Sequence, residues 1–270
     1  MKNNRKVLFY DDFNDIVLDP TKWYIETTTV SDVNHEKRYT YMPGNLAVED
    51  GNLVLTARRE CYRGGNYTSA SIHTGNKFSF QYGRLEVRAK LPYGEGLWPA
   101  LWLMGDSYFG HLDWDAWPRC GEIDVMQFIG TGGEADRDQR DAYQSEYLSV
   151  YNNKIVGNNR TTCNLHWGVD RQHHKQSGTS YSLPKGVFAD DYHIFAIEWT
   201  EEAIEWYVDD NLIHRVDINQ PDMLDTFHKP HWIVLSLNLV EDFEPAVKEI
   251  TPFPQSFYID YIRVLAPEKK

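Results

Sequence analysis

The run Trp117-Pro118-Arg119-Cys120-Gly121-Glu122-Ile123-Asp124-Val125-Met126-Gln127 holds the residue types best suited to chemistry. Side chains alternate faces along a strand, so Glu122 and Asp124 share one face while Ile123 and Val125 turn to the core. Adjacent carboxylates repel and shift each other's ionisation, and paired carboxyls are the usual tools of acid–base and nucleophilic catalysis. An unbroken strand leaves Met126 on the acidic face and Gln127 on the other. One extra residue, as in a β-bulge, reverses that parity and brings Gln127 round beside Asp124. Gln127 matches glutamate in size and can donate a hydrogen bond, but it has no proton to release. Taken alone, an acidic pair on a strand reads first as an exposed polar face.

The elements that must position these groups are short and alternating. Segments 53–57, 84–90, 193–199, 203–208, 232–239 and 256–264 are rich in β-branched and aromatic residues, and Gly, Pro, Asn or Asp bound them. Asp209-Asp210-Asn211, between two such runs, is expected to turn a hairpin. No amphipathic helical window of 12 or more residues stands out. Strands across the whole chain, without linker or repeat, predict one domain over 1–270: an all-β sandwich or jelly roll. The polar segment 131–160 reads as either a solvated insertion or a cleft wall.

Composition narrows the partners. The net charge of −13 opposes phosphate backbones and anionic lipid, so nucleic acid is not expected as a partner. No apolar run is long enough to span a bilayer, so membrane insertion is not expected either. Aromatics reach 14% of the chain, which suits a protein that handles flat apolar faces, sugars among them. Three cysteines allow no disulfide framework. The basic start MKNNRKVLFYDDF has no apolar h-region, so the chain is read as cytosolic or as a mature or trimmed form. Histidine and cysteine spacing shows no catalytic transition-metal site.

The 117–130 segment resembles the active-site strand of glycoside hydrolase family 16, whose bulged members read Glu-aliphatic-Asp-any-aliphatic-Glu. The likeness continues in order along the chain: Asp11-Asp12-Phe13 with Trp23, then Val48-Glu49-Asp50-Gly51-Asn52-Leu53, Tyr82 to Pro92, Gly96 to Gly105, Glu198-Trp199 with Trp206 to Asp209, and Phe257 to Val264. The resemblance implies two curved antiparallel sheets with a concave substrate cleft. It also implies endo-acting, retaining hydrolysis of β-1,3-glucan or mixed-linkage β-1,3/1,4-glucan through two carboxyls about 5–5.5 Å apart.

Under that resemblance Glu122 is the nucleophile, Asp124 tunes it, and the general acid/base belongs at 127, where this chain departs from the family with Gln127. Two explanations stay open. One is an engineered replacement that keeps shape and removes the proton, which the otherwise intact site favours. The other is a natural non-catalytic β-glucan binder. A hydrolase of red-algal galactan is a further alternative, disfavoured by the acidic balance of Asp106, Asp113 and Asp115. Trp98, Trp102 and Trp117 are expected as sugar platforms, with Trp114 extending them. His166 is expected to face the acid/base position, Asn45 to contact a sugar hydroxyl, and Glu95 to be exposed. Asp12, Gly51 and Asp260 match a structural Ca²⁺ site, and no catalytic cofactor is implied. The implied partner is a β-glucan polysaccharide or oligosaccharide bound by a monomer, secreted or on the cell surface.

Overall fold

The computed structural model describes residues 5–27, 29–32, 35–38, 44–62, 65–106, 116–130, 158–240, 249 and 251–268. Apolar residues alternate with polar ones along most strands, and each alternation builds one wall of a shared core. In β9 (Gly83–Lys90), Leu85, Val87 and Ala89 are buried between Arg84, Glu86 and Arg88. Beside it lie β14 (His193–Trp199), β15 (Ala203–Val208) and β16 (Asn211–Asp217) on one flank. On the other flank are β18 (Gln255–Leu265), β6 (Asn52–Tyr62) and β5 (Leu46–Glu49). β1 (Val7–Asp11) pairs with β18 and β7 (Gly65–Thr68) with β6, which completes an antiparallel sheet.

The second sheet carries the chemistry. Its order is β13 (Lys175–Ser182), β12 (Arg160–Trp167), β11 (Glu122–Gln127), β10 (Leu97–Gly105), β17 (His231–Leu239), β8 (Ser71–His73) and β2 (Tyr24–Ile25). Every neighbouring pair in it is antiparallel. β3 (Thr29–Asp32) and β4 (His35–Arg38) pair as a separate two-stranded hairpin. Leu101, Leu103, Ile123, Leu165 and Leu235 from this sheet meet Leu85, Val87, Phe195, Ile197 and Phe257 from the other in one core cluster. The architecture is the all-β jelly roll expected from the strand pattern.

Local chemistry fixes the connections that matter. Asp209 and Asp210 both have positive φ, 48° and 64°, the backbone of a two-residue type I′ hairpin turn between β15 and β16. At the end of β10 a Cβ on Gly105 would lie 1.9 Å from the Cys120 carbonyl oxygen, so only glycine fits there. Gly105 N donates to the Gly121 carbonyl at 3.0 Å, which docks the 116–121 segment against β10 and sets the entry of β11. The expected irregular segment to 160 stops short of its end: Arg160 already opens β12. The part from 131 to 157, and Trp114, lie outside the described residues.

Candidate active site

β11 contains the bulge. Against β10, Glu122 pairs with Met104, Asp124 with Trp102, and Gln127 with Ala100, with the register slipping between Leu101 and Trp102. Against β12, Asp124 pairs with Asn164 and Gln127 with Thr162, so three steps on β11 meet two on β12. Met126 therefore turns into the core, fully buried, and Gln127 joins the face of Glu122 and Asp124. A bulge leaves backbone groups without ladder partners. Here Trp206 Nε1, reaching across from the other sheet, donates to the Asp124 carbonyl at 2.9 Å, and the hydroxyls of Thr161 and Thr162 approach the Gln127 carbonyl at 3.4 Å.

Each side chain on this face is held. Trp117 Nε1 donates to Glu122 Oε2 at 2.6 Å, and Trp98 Nε1 donates to Gln127 Oε1 at 3.0 Å. His166 Nε2 lies 3.0 Å from Asp124 Oδ2, and its Nδ1 lies 2.9 Å from His174 Nε2. Burial raises the Glu122 carboxyl to about 7, and the Asp124 charge adds to the rise. Burial likewise raises Asp124 to about 7, opposed by its hydrogen bond to Glu122. Near neutrality the two carboxyls thus titrate as a pair over one proton. Burial pushes His166 down and takes His174 to about 4, so both rings are neutral at pH 7. Ligand atoms of Glu122, Asp124 and His166 lie within 4.8 Å of one another. Hydrogen bonds among these groups already occupy them, and the trio is read as carboxylate machinery.

Two carboxyls on one bulged strand have the layout of a glycosidase site, with an amide where a third carboxyl would stand, and similarity to known proteins agrees with that layout. The model of glycosyl hydrolases family 16 matches residues 33–242. The chain belongs to that family. It is 30% identical to a glucan endo-1,3-beta-glucosidase A1 of Niallia circulans over 96% of its length, and 36% identical to a beta-1,3-glucan-binding protein of Penaeus monodon over 56%. It spans 37% and 35% of those two relatives. Among solved structures, the laminarinase catalytic domain of Thermotoga maritima matches with a TM-score of 0.77 and 33% identity, covering 99% of this chain and 100% of that one.

Within this family 16 domain the remaining expected residues divide. Trp102 and Trp117 are half-buried beside the carboxyls, so part of each ring is available as a platform. Trp98 is not such a platform. It is 5% exposed, and its N–H is committed to Gln127. His166 is on the expected face, yet it bonds Asp124 rather than facing position 127. Asn45 is a correction: it is fully buried in the other sheet's edge, donating to the Thr56 carbonyl and Thr68 Oγ1, with no surface for a sugar hydroxyl. Glu95, expected at the surface, is buried. Cys120 fills space against Met104, Ala116 and Trp232, as a small apolar residue does.

The Ca²⁺ expectation meets a different donor set. Asp260 Oδ2 accepts from Arg88 Nη1 at 2.6 Å. Asp260 is thus already ion-paired, so one carboxylate of the expected oxygen set is shared with a guanidinium. Three further groups matter here that no local pattern points to. Trp206 braces the bulge from the opposite sheet, Ser236 Oγ accepts from Trp102 Nε1 at 3.2 Å, and His174 backs His166.

Proposed function

We propose that this chain carries the site of an endo-acting, retaining hydrolase of β-1,3-glucan or mixed-linkage β-glucan, with its proton donor replaced by an amide. The observation that carries the reading is the bulge, which sets Gln127 on the face of Glu122 and Asp124 and ties it to Trp98. Glu122 attacks the anomeric carbon to form the glycosyl-enzyme bond, and Asp124 governs when Glu122 is anionic. Gln127 can hydrogen-bond the glycosidic oxygen but cannot protonate it, a loss of about 10²–10⁴ in rate. It also cannot take a proton from the water that releases the sugar. The chain therefore binds glucan through Trp102 and Trp117 and turns it over slowly or not at all. A polymeric substrate fits a secreted or cell-surface monomer.

Restoring the carboxyl tests this. Gln127→Glu should digest laminarin or barley glucan at least about 100-fold faster than the parent chain. If Gln127→Glu releases no reducing ends from either while oligosaccharide binding persists, the site is that of a β-glucan binder, the reading that the Penaeus monodon likeness favours. Release from agarose alone would move the substrate to a galactan.

A further inference from the structure

His174 has no role in the scheme above, yet it is built into the site. Its ring stacks on His166 at 5.1 Å between centroids and 18° between planes, and packs on Trp117 at 4.8 Å. Trp117 in turn holds Glu122, and the Arg171 guanidinium lies 5.2 Å over the Trp117 ring. The order is Asp124 Oδ2, His166 Nε2, His166 Nδ1, His174 Nε2, with separations of 3.0 and 2.9 Å across the two gaps.

Neutral His166 has one ring hydrogen to place, and the placement that matches Asp124 as an acceptor is Nε2. The other nitrogen, Nδ1, is then a buried lone pair that needs a donor. His174 supplies one through its Nε2–H. In the opposite tautomer His166 would present a lone pair to Asp124 Oδ2, two acceptors face to face in a buried site. We propose that His174 is a positioning residue: by donating to His166 it fixes the nitrogen that faces Asp124, and so holds Asp124 and Glu122 in their working state. The proposal rests on the reading of Glu122 and Asp124 as the catalytic pair. Among the described residues, the charged and titratable groups facing this chain are Glu122 and Asp124 from β11 and Arg171 through Trp117. The sequence neighbours His173 and Lys175 are taken by Asp170 and Asp222.

Two variants separate donation from packing. His174→Phe keeps a flat ring on Trp117 and removes the donor, whereas His174→Gln returns an N–H. In ¹⁵N-histidine NMR of the chain at about pH 8, above the pair's titration, the parent and His174→Gln should show His166 as one Nε2–H tautomer. His174→Phe should show a mixture. The same single tautomer in His174→Phe overturns the proposal. A dinitrophenyl β-laminaribioside supplies the functional readout, because its leaving group needs no acid. A Glu122 oxygen bonds to the anomeric carbon, the aryl C–O bond breaks, and its electron pair leaves as phenolate with no proton moved. The burst rate should fall at least about tenfold in His174→Phe with KM unchanged, and recover in His174→Gln, as loss of the correct tautomer does in other catalytic histidines. An unchanged burst in His174→Phe refutes the role. A parent that gives no burst refutes the hydrolase reading instead, and the tautomer result still judges His174.

Discussion

Replacing Glu122 with Gln should stabilise the protein at neutral and alkaline pH and do little in acid. The amide keeps an acceptor for Trp117 Nε1 and removes the charge beside Asp124. Burial and the Asp124 charge raise the Glu122 carboxyl from 4.5 to about 7 in the folded state. Between those values the native chain binds more protons than the unfolded one, so stability falls as pH rises through the window. The rise of about 2.5 units corresponds to a ceiling of about 3 kcal/mol, which the partial exposure of Glu122 lowers to about 1–2 kcal/mol. Glu122→Gln escapes that loss. Urea unfolding of both proteins at about pH 4.5 and about pH 8 reads the difference directly. The gain should be near zero in acid and reach its plateau above pH 7. An equal gain at both values means that charge burial is not what strains this site.

His231 gives the opposite slope. It is fully buried, its Nε2 has no hydrogen-bond partner among the described residues, and burial pushes its pKa down from 6.5 to about 4. The native chain then binds fewer protons than the unfolded one between those values, and stability is lost as pH falls through them, by a ceiling of about 3 kcal/mol. His231→Phe should flatten that acid limb in urea melts; an acid limb of unchanged steepness rejects the assignment. Trp206→Phe removes the donor to the bulge carbonyl of Asp124 and should cost about 1–3 kcal/mol by urea unfolding. A change below about 0.5 kcal/mol would mean that the carbonyl finds another partner.

The strands that read clearly in the sequence are those whose two faces differ. Segments 193–199 and 203–208 coincide with β14 and β15, because Phe195, Ile197, Ile204 and Trp206 all turn into one core. The polar strand β13, Lys175–Ser182, carries no such signal. It is a sheet edge, mostly half-exposed, and backbone pairing with β12 rather than apolar burial makes it a strand. The 97–105 segment was legible only through its likeness to the family, because both its faces are buried: Leu101 and Leu103 lie in the core, while Met104 packs with Ala116, Cys120 and Trp232.

Parity gave the shared face, and the likeness to family 16 made that face a site. A Glu-x-Asp pair on a strand fixes one face, and a single inserted residue is enough to bring a third polar group to it, as Glu122, Asp124 and Gln127 show. What parity cannot fix is which polar atom each neighbour spends its hydrogen bonds on. Trp98 and Trp117 both precede proline and read alike, yet one holds an amide while the other holds a carboxylate. Asn45 has a sugar-binding side chain by type, but Thr56 and Thr68 consume its amide. Likewise nothing in the string HHKQ distinguishes His174 from His173, though one backs His166 and the other turns to Asp170 in solvent. These choices are made by contacts between strands far apart in sequence, which no local pattern encodes. The site is thus specified twice: its face by local alternation, and the state of each group on that face by long-range partners such as Trp206, His166 and His174.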